Sequence, residues 1–266
     1  MAKNIVFIPN IKMGDGRNDS YQYSVDSWKH FCEKNDCELL VWEDLLFPVE
    51  YMKITWQRYY LFDFLEENEI EYNQILMVDA DTIVHPDCPN FFDETDGRYC
   101  GVMNDGCYEW VTRSIRDFGD KLFDGHRIMP HKYINGGFQI VNKEHRWFFD
   151  EMKKYYDGDA KNIRKVIDEV QAGTDQTILN YMLDRHNVDV KILPPCYNLQ
   201  DVWRKNLIVL DEEMQFFMKD ELLFTAAGWV YHFNAIPPNP KERDQKYWIK
   251  RTSWDWRSVS NCIVNH

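Results

Sequence analysis

Along the first eighty residues, short apolar runs alternate with longer segments whose apolar positions recur at helical spacing. Asn4 to Ile8 predicts a strand, Ser24 to Lys34 a helix, and Leu39 to Trp42 a strand. Tyr51 to Asn68 predicts a helix, with Ile54, Tyr59, Leu61, Phe62 and Leu65 as a broad apolar stripe, and Gln74 to Val78 a buried strand. A β-α-β-α-β order implies an α/β sandwich whose first strands are parallel, because parallel neighbours need a crossover between them.

Beyond Gly101 the pattern loosens. Asn104 to Met129 carries Gly106, Gly119 and Gly125, which interrupt any long helix, and the stretch reads as surface loop. A strand at Gly137 to Asn142, helices at Glu144 to Tyr156 and Thr174 to Arg185, and a strand at Val188 to Leu193 follow, the last ended by Pro194-Pro195. From Lys241 to Arg257 the composition turns basic and aromatic, with Lys246, Lys250 and Arg251 beside Tyr247, Trp248, Trp254 and Trp256. An amphipathic helix packing its aromatics on the main domain is the plain reading, since Trp is mostly buried. Stacking on a bound ligand or attachment to an anionic surface are the functional alternatives. The expected organisation is a catalytic domain over 1–240 and an extension over 241–266.

A chain of 266 residues with 44% hydrophobic content has enough apolar surface for one sizeable core. Its net charge of -13 disfavours general nucleic-acid binding, because a phosphate backbone is repelled at long range. Seven cysteines without any C-x-x-C pair read as reduced thiols rather than a zinc or redox motif. The apolar run Ile5 to Pro9 is too short for a signal-peptide core, and no stretch approaches the ~18 apolar residues of a membrane span. Together these features lead us to expect a cytoplasmic protein.

The run NQILMVDADTIV changes the picture most, because four apolar residues lead straight into Asp79 and Asp81. Carboxylates directly after a buried strand are costly unless paired or bound to a cation. In extended chain, i and i+2 project to the same side, so Asp79 and Asp81 can converge on one divalent ion. The bland alternative is two acids that simply open a loop. Ligands in open α/β sheets gather beyond the carboxyl ends of the strands, which places Asn10, after the first strand, near the same site. Lys53, at the start of the long helix, is a candidate phosphate contact or simply a solvated lysine.

Four segments in this order resemble the retaining nucleotide-sugar glycosyltransferases of the GT-A fold, the group that includes glycogenin and bacterial galactosyltransferases. They are the D-x-D after its strand, YINGGFQIVNKEH with Asn135-Gly136-Gly137, GTDQTILNYML with Asp175 and Gln176, and WVYHF with His232. The resemblance spans about Ile5 to Phe233. It implies a mixed GT-A sheet flanked by helices and a divalent cation, Mn²⁺ or Mg²⁺, held by Asp79, Asp81 and His232. It also implies donor contacts from Asn135, Gly136 and Gly137, and places Asp175 and Gln176 near the reacting sugar. One departure stands out. Where the family has a glycine and then a lysine after the histidine, this chain has Phe233-Asn234-Ala235-Ile236-Pro237-Pro238.

Each segment has a plainer reading beside that one. Gly136-Gly137 suits a bulge or turn as well as a bare backbone that lets a sugar approach, with Asn135 bonding its hydroxyls. Thr174-Asp175 suits a helix N-cap and first-turn acid. A lone histidine such as His232 is usually structural, but an imidazole beside two carboxylates suits Mn²⁺.

The implied reaction moves a sugar from a nucleotide-sugar donor to an acceptor hydroxyl, the acceptor being a glycan, protein or small molecule, with retention of anomeric configuration. The competing readings are a sugar nucleotidyltransferase, a D-x-D phosphatase, and a non-catalytic carbohydrate-binding protein.

Overall fold

The computed structural model describes residues 2–14, 16–200, 228–234, 236 and 244–264. Strands β1 (Lys3–Pro9), β2 (Glu38–Trp42) and β3 (Tyr72–Val78) lie parallel, with β1 in the middle. Helix α1 (Tyr21–Lys34) makes the first crossover. The second runs through α2 (Ile54–Gln57), one 3-10 turn at Arg58–Tyr60, and α3 (Leu61–Glu67), so the single helix expected there is broken at Arg58.

The short strand β4 (Thr82–Val84) follows the D-x-D turn, and β5 (Tyr99–Met103) and β6 (Ile134–Asn142) come later. After them come the helices α5 (Arg146–Val170) and α6 (Asp175–Arg185) and the strands β7 (Val190–Leu193) and β8 (Val230–His232). The main sheet runs β2-β1-β3-β6-β5-β7, and β6 is antiparallel to both of its neighbours. A second, two-stranded sheet pairs β4 with β8.

Side chains alternate across the main sheet and both faces are buried, as a sheet covered by helices on each side requires. Ile5, Phe7, Ile75 and Met77 join one core with residues of α3, α5 and α6. Val6, Ile8, Leu76 and Val78 join the other with Trp28 and Phe31 of α1.

The expectation of a surface loop over 104–129 is wrong, because Tyr108–Leu122 forms helix α4 with Val111, Ile115 and Phe118 buried. Gly119 lies inside that helix rather than ending it. A Cβ there would come within 2.6 Å of the Tyr181 hydroxyl and overlap the His126 carbonyl, so the residue is small to let α4 pack closely. Strand β5 was not anticipated at all. Helix α5 runs well past Tyr156, through non-helical backbone at Asp159, with φ -154° and ψ 46°.

The C-terminal segment forms α7 (Gln245–Val264), which packs on α1 and β4. Trp248 and Ile249 are buried against Ile83, Leu199, Tyr231 and Phe233, and Trp256 Nε1 donates to the Val84 carbonyl at 2.9 Å. Lys241 and Arg243, which open the basic and aromatic stretch, lie outside the described residues. No described helix is long and apolar enough to cross a membrane.

Candidate active site

The D-x-D turn is built by its neighbours. Asp79 N–H donates to the Gly137 carbonyl at 3.0 Å, which extends the β3–β6 ladder by one bond beyond Val78. Thr82 Oγ1 donates to the Asp79 carbonyl at 2.8 Å and itself accepts from Trp28 Nε1 at 2.9 Å, so a buried indole clamps the turn. The register of β4 on β8 then sets Thr82 opposite His232 and brings the imidazole to the carboxylates. His232 Nε2 lies 3.2 Å from Asp81 Oδ1 and 3.7 Å from Asp79 Oδ2. One ligand atom from each of Asp79, Asp81 and His232 lies within 4.8 Å of the others.

The imidazole is oriented from behind. Its Nδ1 is 3.0 Å from Asn198 Oδ1, and the Asn198 amide donates to Asn135 Oδ1 at 3.2 Å. With the Asn198 nitrogen committed to Asn135, its oxygen faces His232 and accepts from Nδ1–H, which leaves Nε2 as the ring nitrogen directed at the carboxylates. Two carboxylates and an imidazole lone pair are a suitable donor set for Mn²⁺ or Mg²⁺. Gly137 keeps the space beside them open, since a Cβ there would overlap the Asp79 carboxylate and come within 2.6 Å of His232 Cε1. Its φ is not positive, so close approach rather than a turn explains the glycine.

Arg58, in the 3-10 turn, is one of the residues that the sequence did not reveal. It is buried, and its guanidinium meets Asp79 Oδ1 at 3.0 Å, Asp175 Oδ2 at 3.8 Å and the Gly136 carbonyl at 2.7 Å. Burial works against its charge, but Asp79 and Asp175 outweigh that and raise its pKa above the ordinary arginine value. Tyr59 donates to Asp175 at 3.3 Å. Burial, then the Asp175 charge, pushes the Tyr59 phenol well above its usual range, so it stays a neutral donor. A buried arginine inside an amphipathic segment carries no sequence signal, because the same letter usually marks a solvated face.

Asp79 lines two cavities. One, of about 230 Å³, lies at the carboxyl ends of β1 and β3 and is lined by Ile11, Asn18, Tyr21, Thr55 and Arg58. The other, of about 260 Å³, is lined by Asn104, Trp110, Asn135, Thr174, Gln176 and His232. An open α/β sheet places its ligand at these strand ends.

Neither models of known protein families nor curated proteins match the sequence. Solved structures do match. A glycosyltransferase involved in the glycosylation of the major capsid of PBCV-1 is 12% identical over 94% of this chain and 99% of its own, with a TM-score of 0.56. The apo form of the glycosyltransferase GlyE of Streptococcus pneumoniae is 13% identical over 98% of this chain and 62% of its own, with a TM-score of 0.52. The fold is GT-A.

Within the GT-A frame, the structure brings most of the anticipated residues together. Asp79, Asp81 and His232 form one cluster. Asp175 opens α6, and Gln176 follows it into the second cavity. Gln176 Oε1 accepts from Gly136 N–H at 2.9 Å, and its Nε2 donates to Asn104 Oδ1 at 3.2 Å.

Asn135 differs from expectation. Instead of a free amide offered to sugar hydroxyls, its oxygen accepts from Gly137 N–H and Asn198, and its nitrogen donates to Asn104 and Gln176. That uses its full hydrogen-bonding capacity and makes it the hub between His232 and Gln176. Asn10 is buried beside the first cavity and accepts from Asn18 Nδ2 at 2.5 Å. Lys53 does not reach the site, because its ammonium pairs with Asp168 on α5.

Proposed function

We propose that this protein is a metal-dependent glycosyltransferase that moves a sugar from a nucleotide-sugar donor to an acceptor hydroxyl on a glycan, protein or small molecule. The observation that carries the reading is the convergence of Asp79, Asp81 and His232 beneath two cavities that share Asp79. In this reading the first cavity takes the nucleoside side of the donor and the second takes the sugar.

A divalent cation, Mn²⁺ or Mg²⁺, held by those three side chains would stabilise the negative charge that develops on the departing diphosphate. The chain's own residues prepare that event. Arg58 holds Asp79 Oδ1, which leaves Oδ2 turned toward His232. Asn198 holds the His232 tautomer. Gln176 borders the sugar cavity and is our candidate for the reacting face of the sugar, with Asp175 fixed behind it by Arg58 and Tyr59.

Retention of configuration belongs to the same reading. The acceptor oxygen bonds the anomeric carbon on the face that the diphosphate leaves, and its proton passes to the leaving group. A cytoplasmic location is also part of this proposal, and cell fractionation checks it.

The test is to incubate the protein with a panel of nucleotide sugars, with and without Mn²⁺, and to follow sugar release by mass spectrometry. Metal-dependent hydrolysis of one donor, absent in Asp81→Ala, is the expected result. If no donor is bound or turned over under any metal condition, the proposal fails.

A further inference from the structure

The C-terminal helix α7 does more than cover the domain. Asp244 caps it, accepting from the Tyr247 N–H at 3.0 Å, and this sets Gln245 as the first helical residue, aimed back at the D-x-D turn. Both amide protons of Gln245 are used there. Nε2 donates to Asp81 Oδ2 at 2.8 Å and to the Phe233 carbonyl at 2.8 Å. Its oxygen accepts from the Tyr21 hydroxyl at 3.3 Å, and Tyr21 lines the first cavity. One side chain thus ties together the D-x-D carboxylate, the residue after His232, and the start of α1. The Phe233 N–H in turn donates to the Asp81 carbonyl at 2.9 Å, closing the loop around that aspartate.

We propose that Gln245 is a positioning residue for the metal site and that α7 is built into the catalytic centre through it. The inference rests on the reading of Asp79, Asp81 and His232 as metal ligands. The orientation of a carboxylate about its last torsion is set by the groups that bond its oxygens. By holding Oδ2, Gln245 keeps Oδ1 toward His232, 3.2 Å away. Groups that orient a metal ligand in this way typically change metal affinity or activity about 10–100-fold when removed. The buried Trp248 and Ile249 one turn further along α7 supply the fixed base that such an orienting bond needs.

The test uses the full chain with Gln245→Met, which keeps side-chain length and helix propensity while removing the amide. Mn²⁺ affinity is read by electron paramagnetic resonance of the free ion, and thermal unfolding is followed without metal. The expected result is an affinity about tenfold weaker or more, with the metal-free unfolding temperature close to that of the wild type. Wild-type Mn²⁺ binding with unchanged affinity in Gln245→Met overturns this proposal alone, whatever the unfolding temperature does. A wild-type chain that binds no Mn²⁺ removes the metal reading and this proposal with it.

Discussion

Asp175 and Asp81 belong to the same site and meet opposite surroundings. Asp175 is 3% exposed, with Arg58 and Tyr59 built against it. The side chain of Asp81 is 15% exposed, borders a cavity, and has His232 and Gln245 among its neighbours. A buried carboxylate with its own guanidinium is a fixed part of the architecture. A carboxylate at a cavity wall beside an imidazole is placed to receive a cation from solution. Asp79 stands between the two, with one oxygen toward Arg58 and the other toward His232. Among these side chains, one arginine set against three aspartates leaves a formal charge of two negative, the deficit that the proposed divalent ion would neutralise.

The largest expected effect tests the closed side. Arg58→Met leaves Asp175 buried without its cation and should destabilise the fold by about 3–5 kcal/mol, measured by urea denaturation. A loss below about 1 kcal/mol would show that Asp175 does not depend on Arg58, and the contrast would collapse. On the open side, Asp81→Asn should lower donor turnover at least about 100-fold while changing stability by under about 1 kcal/mol. Comparable damage to stability would make Asp81 as structural as Asp175.

The smallest effect sharpens the account of His232. Asn198→Leu removes the acceptor for Nδ1–H and should weaken Mn²⁺ binding about tenfold, whereas Asn198→Asp keeps that acceptor, though not the donor to Asn135, and should preserve the His232 tautomer. Nitrogen chemical shifts of the His232 ring report the tautomer directly. A ring whose tautomer is the same in both variants would remove Asn198 from this role.

What could be read in the sequence was whatever has a local cause. A run of apolar residues ending in Asp79 and Asp81, a Gly136-Gly137 pair in a strand, Asp175 at a helix start and His232 after an apolar run are each patterns within a few residues. They mark the sheet and most of the site. Arg58, Asn198 and Gln245 are different, because their roles exist only across distance in the chain. Arg58 bonds the Gly136 carbonyl 78 positions away, and Gln245 reaches Asp81 across 164.

Helix α4 was hidden for a related reason. Gly119 looks like a breaker, yet it is small to make room for Tyr181 of α6, a neighbour that no local window contains. The fate of Lys53 was likewise decided by Asp168, far along the chain on α5. The proposed nucleotide-sugar chemistry therefore stands on the legible half of the site, and the geometry of the site on the hidden half.

The most direct test is a crystal of the protein soaked with Mn²⁺ and a nucleoside diphosphate, measured for anomalous scattering. The account predicts one strong anomalous peak bounded by Asp79, Asp81 and His232, with the diphosphate beside it in the first cavity. A bound diphosphate with no peak among those three residues, or a peak held elsewhere, would contradict it.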